Sequence, residues 1–251
     1  SFEKLIAESE VVFLGLPDGI SAELAPQLLE NGRKVFDLSG AFRLRDKELR
    51  KQWYPKSPSL PETTTYGLPE WNREHLATAN LVACAGCYPT AAILALNPLV
   101  KSEVLADKAD IYIDAKSGVS GAGKKPSERT HFSEVHGSIA AYGIFSHRHA
   151  AEIEQELNRP VTFVPHLVPL DRGILETIYT RVSPGTTNNT IREALENAYQ
   201  ESPFVRLTGN TPPEIKHVVH TNFCDIGWIL NDTRLVLVVC IDNLVKGAAG
   251  Q

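Results

Sequence analysis

Three short apolar runs constrain the first third of the chain: VVFLGLP (11–17), KVFDLS (34–39) and LVACA (81–85). Each is nearly continuous rather than alternating. That is the pattern of a strand covered on both faces, and such strands belong to parallel sheets flanked by helices. Between the first two runs, SAELAPQLLEN has helical spacing, with Ser21 as its expected N-cap and Gly32 as its stop. Residues 3–9 read as the end of an earlier helix. Strand, helix, strand at this spacing predicts a parallel α/β layer. Residues 46–75, rich in Pro, Thr, Trp and Tyr, carry no clear period and read as irregular surface.

The pattern then changes. CYPTAAILALNPLV (87–100) predicts a helix, with Pro89 in its first turn and Pro98 limiting its end. DIYIDA (110–115) reads as a strand running into the glycine-rich KSGVSGAGKK (116–125). Six further strands are expected: VTFVPHLVPL (161–170), ILETIYTRVS (174–183), FVRLT (204–208), IKHVVH (215–220), FCDIGWIL (223–230) and RLVLVVCID (234–242). One helix, NTIREALENAYQ (189–200), interrupts them. Many strands with one or two helices on a face predict an α+β domain. The fold class is thus α/β, with a partial parallel layer followed by an α+β domain and a boundary near residue 86.

With 251 residues the chain can bury a substantial core. A net charge of −5, with no run of Lys or Arg, excludes a basic nucleic-acid stripe. The longest apolar runs, such as LVLVVCI (235–241), are too short for a membrane-spanning helix, and no signal-peptide pattern is read. Four cysteines in a chain this long do not form a disulfide scaffold, so a cytoplasmic setting is expected. There is no methionine, and the first residues fall inside an element, so the chain is expected to be a piece of a longer polypeptide.

Chemistry concentrates at VACAGCYPTAA (82–92), where Cys84 and Cys87 stand in C-x-x-C spacing. Cys87 lies at the strand-to-helix turn. Gly86 permits the turn, and unpaired backbone N–H groups with the positive end of the helix dipole favour a thiolate there. Cys84 sits in the apolar strand, where a thiol stays inert, and Cys224 and Cys240 have similar settings. A thioredoxin-like pair would place both cysteines at the helix start. A zinc site would need more ligands than the chain supplies nearby, so no metal is expected.

A thiolate needs a proton-transfer partner. SHRHAAEIEQEL (146–157) offers His147 and His149, which in an extended segment would face the same way, and Glu152 at the opening of the following helix. His166 is a weaker candidate, and His217 and His220 read as strand-surface residues. GVSGAG (118–123) has the spacing G-x-x-G-x-G. It reads either as a tight turn or as backbone approaching a phosphate or a nicotinamide. The dinucleotide fingerprint that should open a first βαβ unit is not found in the chain.

Eight stretches together resemble the N-acetyl-γ-glutamyl-phosphate reductase family, relatives of aspartate-semialdehyde dehydrogenase and, more distantly, of glyceraldehyde-phosphate dehydrogenase. They are GLPDGISAEL (15–24), FDLSGAFRLRD (36–46), YGLPEWNRE (66–74), GCYPTAA (86–92), KSGVSGAGKK (116–125), AYGIFSHRHAAEI (141–153), FVPHLVPLDRGILETIY (163–179) and IDNLVKGAAGQ (241–251), in the family's order across the chain. Two departures, Cys84-Ala85 before the G-C and Ala151 in place of the family's usual proline, remove no group the chemistry needs.

The resemblance implies NADPH-dependent reduction of N-acetyl-γ-glutamyl phosphate to N-acetylglutamate semialdehyde and phosphate, in arginine biosynthesis. By motif Cys87 matches the nucleophile, and His147 is the expected acid/base, with His149 in reserve and Glu152 orienting it. Ser117, Gly118 and Asn243 match positions near the nicotinamide. Pro17, with Leu16, and Ser39 lie at strand ends where α/β sheets bind ligands. Arg43 is expected to grip phosphate, and Arg172 to reach the substrate carboxylate.

Because Asn243 must approach the nicotinamide, residues 241–251 are expected to rejoin residues 1–86 in a partial Rossmann-like NADP-binding domain. That leaves 87–240 as the catalytic and dimerisation α+β domain, resembling the C-terminal domain of glyceraldehyde-phosphate dehydrogenase. The resemblance also implies a small-molecule substrate, no nucleic-acid or membrane partner, and a homo-oligomer, a dimer or tetramer. Rival readings are an aminoadipyl- or aspartyl-phosphate reductase of the same superfamily, a thiol–disulfide protein using Cys84 and Cys87, and a catalytically silent folded fragment.

Overall fold

A computed structural model describes residues 2–57, 59–123 and 125–251. The chain divides into two compact units, residues 1–86 with Gln251, and residues 87–250.

The first unit runs α1 (Phe2–Glu8), β1 (Val11–Leu14), α2 (Asp18–Glu30), β2 (Lys34–Asp37), α3 (Lys47–Trp53), β3 (Thr64–Gly67), α4 (Pro69–Thr78) and β4 (Leu81–Cys84). Its four strands form a parallel sheet in the order β1-β2-β4-β3, with Val12 opposite Val35 and Val35 opposite Leu81. Val12, Leu14, Val35, Leu81 and Ala83 pack with Ala25 and Leu28 of α2 on one face. Val82 and Cys84 pack with Phe36, Leu38 and Leu76 on the other.

Three expectations change here. β1 is not covered on both faces: it is an edge strand, and Phe13, stacked 4.9 Å from Phe36, remains 65% exposed. Ser21 does not cap α2. The helix begins four residues earlier behind Pro17, and Ser21 is buried within it. Residues 46–75 are not irregular: Asp46 caps α3 by accepting the Leu49 N–H at 2.8 Å, TTYG forms β3, and α4 follows with a proline in its first turn. These elements are too short for a period to emerge from the sequence.

The second unit runs α5 (Cys87–Lys101), β5 (Tyr112–Gly118), two 3₁₀ turns, α6 (Phe132–Val135), β6 (Ala140–Ala141), α7 (Arg148–Leu157), β7 (Thr162–Val168), β8 (Ile174–Arg181), α8 (Asn188–Tyr199), β9 (Val205–Gly209), a 3₁₀ turn, β10 (Cys224–Asn231), β11 (Arg234–Ile241) and a π turn (Val245–Ala249). Seven strands make one mixed sheet in the order β6-β7-β5-β8-β11-β10-β9. β5 and β7, and β9 and β10, are parallel; the other neighbours are antiparallel.

Alternation decides which side is covered. Ile113, Ala115 and Ser117 of β5 and Ile174, Glu176 and Ile178 of β8 are buried. α5 packs on this side and is buried from Tyr88 through Leu99. Pro98 lies inside the helix rather than ending it. The opposite side is open, with Tyr112 48% and Tyr179 43% exposed. IKHVVH is not a strand: Ile215–His217 form a 3₁₀ turn, and the Ile215 side chain closes over Gly173, leaving no room for a side chain there.

The expected return of residues 241–251 to the first unit does not occur for 241–250. Ile241 completes β11 opposite Ile174, and Asp242 and Asn243 bond within the second unit.

Candidate active site

Helix α5 opens on Cys87. Cys84, Cys224 and Cys240 are buried, and Cys87 alone of the four is half-buried. Backbone approaches it closely. A Cβ on Gly247 would stand 2.8 Å from the Cys87 Cβ and 3.2 Å from its Cα, so that position has room only for hydrogen. Gly247 is fixed by the turn before it: its N–H donates to the Asp242 carbonyl at 2.9 Å. The buried Asp242 carboxylate accepts from the backbone N–H groups of His220 (2.6 Å), Leu244 (2.7 Å) and Val245 (3.0 Å), and from Arg172 (3.0 Å). Burial pushes this carboxyl up, but the bonds outweigh it and hold it below its ordinary value.

Tyr88, next to the thiol, ties the helix to its surroundings. Its hydroxyl donates to the His166 carbonyl at 3.2 Å and lies 3.3 Å from the Tyr142 hydroxyl. Its ring meets Phe163, His149 and His147 edge-on at 5.2, 5.9 and 6.0 Å. Burial raises the pKa of both phenols, and the charge of Cys87 raises both further, so the thiol, Tyr88 and Tyr142 share one neighbourhood. The Arg129 guanidinium lies over the Tyr142 ring at 5.7 Å.

His147 and His149 stand 4.8 Å apart, but not on the expected extended segment. His147 is the N-cap of α7 and His149 its second residue. The His147 Nδ1 accepts the His149 N–H at 3.1 Å. Burial, then the Arg148 charge, pull the His147 pKa down to about 4. Glu152 is buried one turn beyond His149, in mid-helix rather than at its opening. His166 points to the open side of the sheet, its Nδ1 3.2 Å from Asp114 Oδ1, on the face opposite α5.

The expected nicotinamide residues turn out to be tied into the fold. Ser117 is buried and donates to the Gly118 carbonyl at 3.0 Å. A side chain at Gly118 would meet the Arg172 N at 2.8 Å, and one at Gly121 would meet the Ser117 hydroxyl. The Asn243 amide accepts from the Gly173 N–H at 2.7 Å and donates to the Ser120 hydroxyl at 3.0 Å. Gly123 has φ +83° and open space around it. Arg172 pairs with Asp242 instead of standing free for a carboxylate, and its Nε is buried without a hydrogen bond among the described residues.

In the first unit, Pro17 follows β1 and precedes α2. The Ser39 hydroxyl donates to Asp37 at 2.6 Å and accepts the Ala41 N–H at 3.1 Å. Arg43 is neither a solvated arginine nor a free phosphate fork. It is buried, and its Nε and one terminal nitrogen donate to the Cys84 and Leu38 carbonyls, each at 2.7 Å. Burial pushes the Cys84 thiol up to about 11, which makes it a poor nucleophile or exchange partner.

Family models for the semialdehyde dehydrogenase dimerisation domain and NAD-binding domain match residues 87–243 and 2–79. Curated relatives carry the name N-acetyl-gamma-glutamyl-phosphate reductase. The protein of Shouchella clausii is 46% identical over 260 residues, 99% of this chain and 75% of the relative, and that of Syntrophobacter fumaroxidans is 46% identical over 259 residues with the same coverage. The chain belongs to the N-acetyl-gamma-glutamyl-phosphate reductase family of semialdehyde dehydrogenases. The fold agrees. An aspartate semialdehyde dehydrogenase of Vibrio cholerae superposes with a TM-score of 0.75 at 17% identity, covering 98% of this chain and 78% of that one. The Candida albicans enzyme, solved with NADP, gives 0.69 at 15% identity over 97% of this chain and 75% of that one.

Three residues of this reductase-family site were not read from the sequence. Gly247 was hidden in VKGAAG, where small residues surround it. Tyr88 and Tyr142 were visible only as neighbours of Cys87 and His147. A tyrosine directly after the half-buried cysteine was the one available signal. Among the described residues no helix is long and apolar enough to cross a membrane.

Proposed function

We propose that this chain carries the catalytic residues for NADPH-dependent reduction of N-acetyl-γ-glutamyl phosphate to N-acetylglutamate semialdehyde and phosphate, with Cys87 as nucleophile. The carrying observation is that the one cysteine not buried opens α5 in the neighbourhood of the Tyr88–Tyr142–His147–His149 cluster. The Cys87 sulfur bonds to the acyl carbon, the carbon–oxygen bond to phosphate breaks with its electron pair, and a thioester remains. NADPH, when bound, supplies the hydride. The resulting thiohemiacetal expels the aldehyde as the C–S bond breaks, and a histidine carries the proton. His149 fits that part better than His147, whose Nδ1 is spent on the cap and whose low pKa leaves it uncharged. Glu152, three residues further along the same helix, lies on the His149 face to orient it.

The residues present fit a nicotinamide cofactor in part. Within the second unit, the open backbone at Gly123 allows close approach of a flat ring; within the first, Gly15, two residues before Pro17, is open as well. Ser39 in the first unit, and Ser117 and Asn243 in the second, each hold local backbone of their own unit, since their polar atoms bond there. A dimerisation-domain match supports a homo-oligomer. We assign the open sheet face around Tyr112 and Tyr179 to a second copy, and place the protein in arginine biosynthesis in the cytoplasm.

The test runs the reaction in reverse. The chain with N-acetylglutamate semialdehyde, NADP⁺ and inorganic phosphate should generate NADPH absorbance, and Cys87→Ser should remove it. Iodoacetamide should alkylate Cys87 first and the three buried cysteines slowly. Turnover only with the one-methylene-longer semialdehyde would move the chain to the aminoadipyl branch. No turnover, with Cys87 as inert as the others, refutes the proposal.

A further inference from the structure

We infer that His147 serves the reaction as a neutral hydrogen-bond donor with its proton fixed on Nε2, and not as the residue that carries a proton. The inference rests on the reading of this site as an acyl-phosphate reductase.

The cap fixes the tautomer. His147 has the extended backbone of an N-cap (φ −98°, ψ 125°), and its Nδ1 accepts the His149 N–H at 3.1 Å. A ring nitrogen that accepts holds no hydrogen, so in the neutral ring the one N–H is on Nε2. Nε2 makes no hydrogen bond among the described residues and is not sealed from solvent, so it is available to a substrate oxygen.

The surroundings fix the charge. Four rings stand edge-on or nearly so around the imidazole: His149 at 4.8 Å, Phe163 at 5.4 Å, Tyr142 at 5.6 Å and Tyr88 at 6.0 Å. The groups that face it are Tyr88, with Cys87 beside it, from α5; Arg148 and His149 from α7; Tyr142, with Arg129 over its ring, from the preceding loop; and the uncharged Phe163 from β7. Both phenols stay protonated, and Arg148 repels a second cation. Among the described residues no carboxylate pairs with this ring. An imidazolium here would be poorly hydrated, would sit at the positive end of the α7 dipole, and would turn a new N–H against the His149 N–H it now accepts. Every one of these effects opposes the charged form.

A neutral imidazole held at a helix N-terminus can polarise a carbonyl without titrating near neutral pH. That divides the labour of the H-R-H stretch: His147 donates a hydrogen bond toward the acyl oxygen, and His149 carries the proton.

The first test uses ¹⁵N-histidine-labelled protein and needs no turnover. The His147 resonances should show Nδ1 bare and Nε2 protonated, with no titration between pH 8 and 5. The second uses two variants. His147→Asn keeps a capping oxygen where Nδ1 was but has no donor at the Nε2 position; His147→Gln reaches that position with its amide. Asparagine should hold the melting temperature and lower kcat by about 10²–10³-fold, the usual cost of one lost donor to a developing oxyanion. Glutamine should recover at least tenfold of that loss. In both, the pH–kcat limbs should stay where the parent has them. A His147 signal that titrates above pH 6, or that shows the Nδ1–H tautomer, overturns the inference, and so does loss of a pH limb in His147→Asn. Absence of turnover in the parent would sink the reductase reading alone, because the resonances still decide the tautomer.

Discussion

Replacing Gly247 by alanine should damage catalysis far more than folding. The added Cβ would lie 2.8 Å from the Cys87 Cβ and 3.2 Å from its Cα, and 3.3 Å from the Asp242 carbonyl. Carbon atoms rest at about 3.5–4.0 Å, so the thiol-bearing residue and the Gly247 turn must separate by about 0.7 Å or more. Neither side yields easily. Cys87 is the first residue of a helix whose next twelve residues are buried. The Gly247 turn is pinned by four hydrogen bonds to the Asp242 carboxylate. Overpacking of this kind costs about 1–3 kcal/mol. At about 2–4 °C per kcal/mol for a unit of this size, the melting temperature should fall by several degrees while the fold survives. A shift approaching 1 Å in the proposed nucleophile should lower kcat about 10²-fold. The assay measures kcat in the semialdehyde-oxidising direction, the iodoacetamide rate at Cys87 by peptide mass spectrometry, and thermal melting on one preparation. Parent-like kcat and alkylation in Gly247→Ala would show that the approach of this turn does not set the position of the thiol.

Two further outcomes are expected. Glu176 is fully buried on the α5 side of the sheet, with both carboxyl oxygens lacking a hydrogen bond among the described residues, and burial raises its pKa well above 4.5. A folded pKa above the unfolded one makes stability fall as pH rises past 4.5, by up to about 1.4 kcal/mol per pH unit, until the folded carboxyl itself ionises. Glu176→Gln should therefore match the parent near pH 4 and melt higher than it at pH 8; parallel pH profiles of the two melting temperatures would refute this. Cys84→Ser places an unsatisfied hydroxyl against Phe36, Leu38 and Leu76 and should cost about 1–3 kcal/mol, leaving the Cys87 alkylation rate unchanged. A large change in that rate would reinstate the thiol pair.

What could be read from the sequence follows from what is local. The α5 start, the parallel layer and the alternating strands β8 and β11 are written in periods of 2 and 3.6 and in turn residues beside them. α3, β3 and α4 were not legible, because four to ten residues of mixed composition hold no period and take their form from Asp46, Pro69 and the neighbouring β4. Single residues at the site divide in the same way. Cys87 stood apart in the sequence by lying at a strand-to-helix turn, and the structure sets it half-buried at the start of α5. Arg43, Arg172, Ser117 and Asn243 are polar groups in motif stretches, and motif position alone does not separate a group that faces a ligand from one that bonds to its own backbone. The structure shows these four bonded within the fold.

The same distinction explains the two histidines. Their order in S-H-R-H-A favoured the first, yet the first carries the cap, and a capping imidazole has already committed the nitrogen that a proton carrier needs. Helix starts select Ser, Thr, Asp and Asn because a short oxygen can reach back to the second or third N–H. A histidine in that position does the same work with a ring whose other nitrogen points outward. One side chain therefore both ends the loop and presents a fixed donor. The residue type permits this dual use, but only the cap geometry reveals which nitrogen is engaged. The position of the helix boundary, at Arg148 and not at Glu152 where the sequence alone would set it, decides the chemistry available at the site.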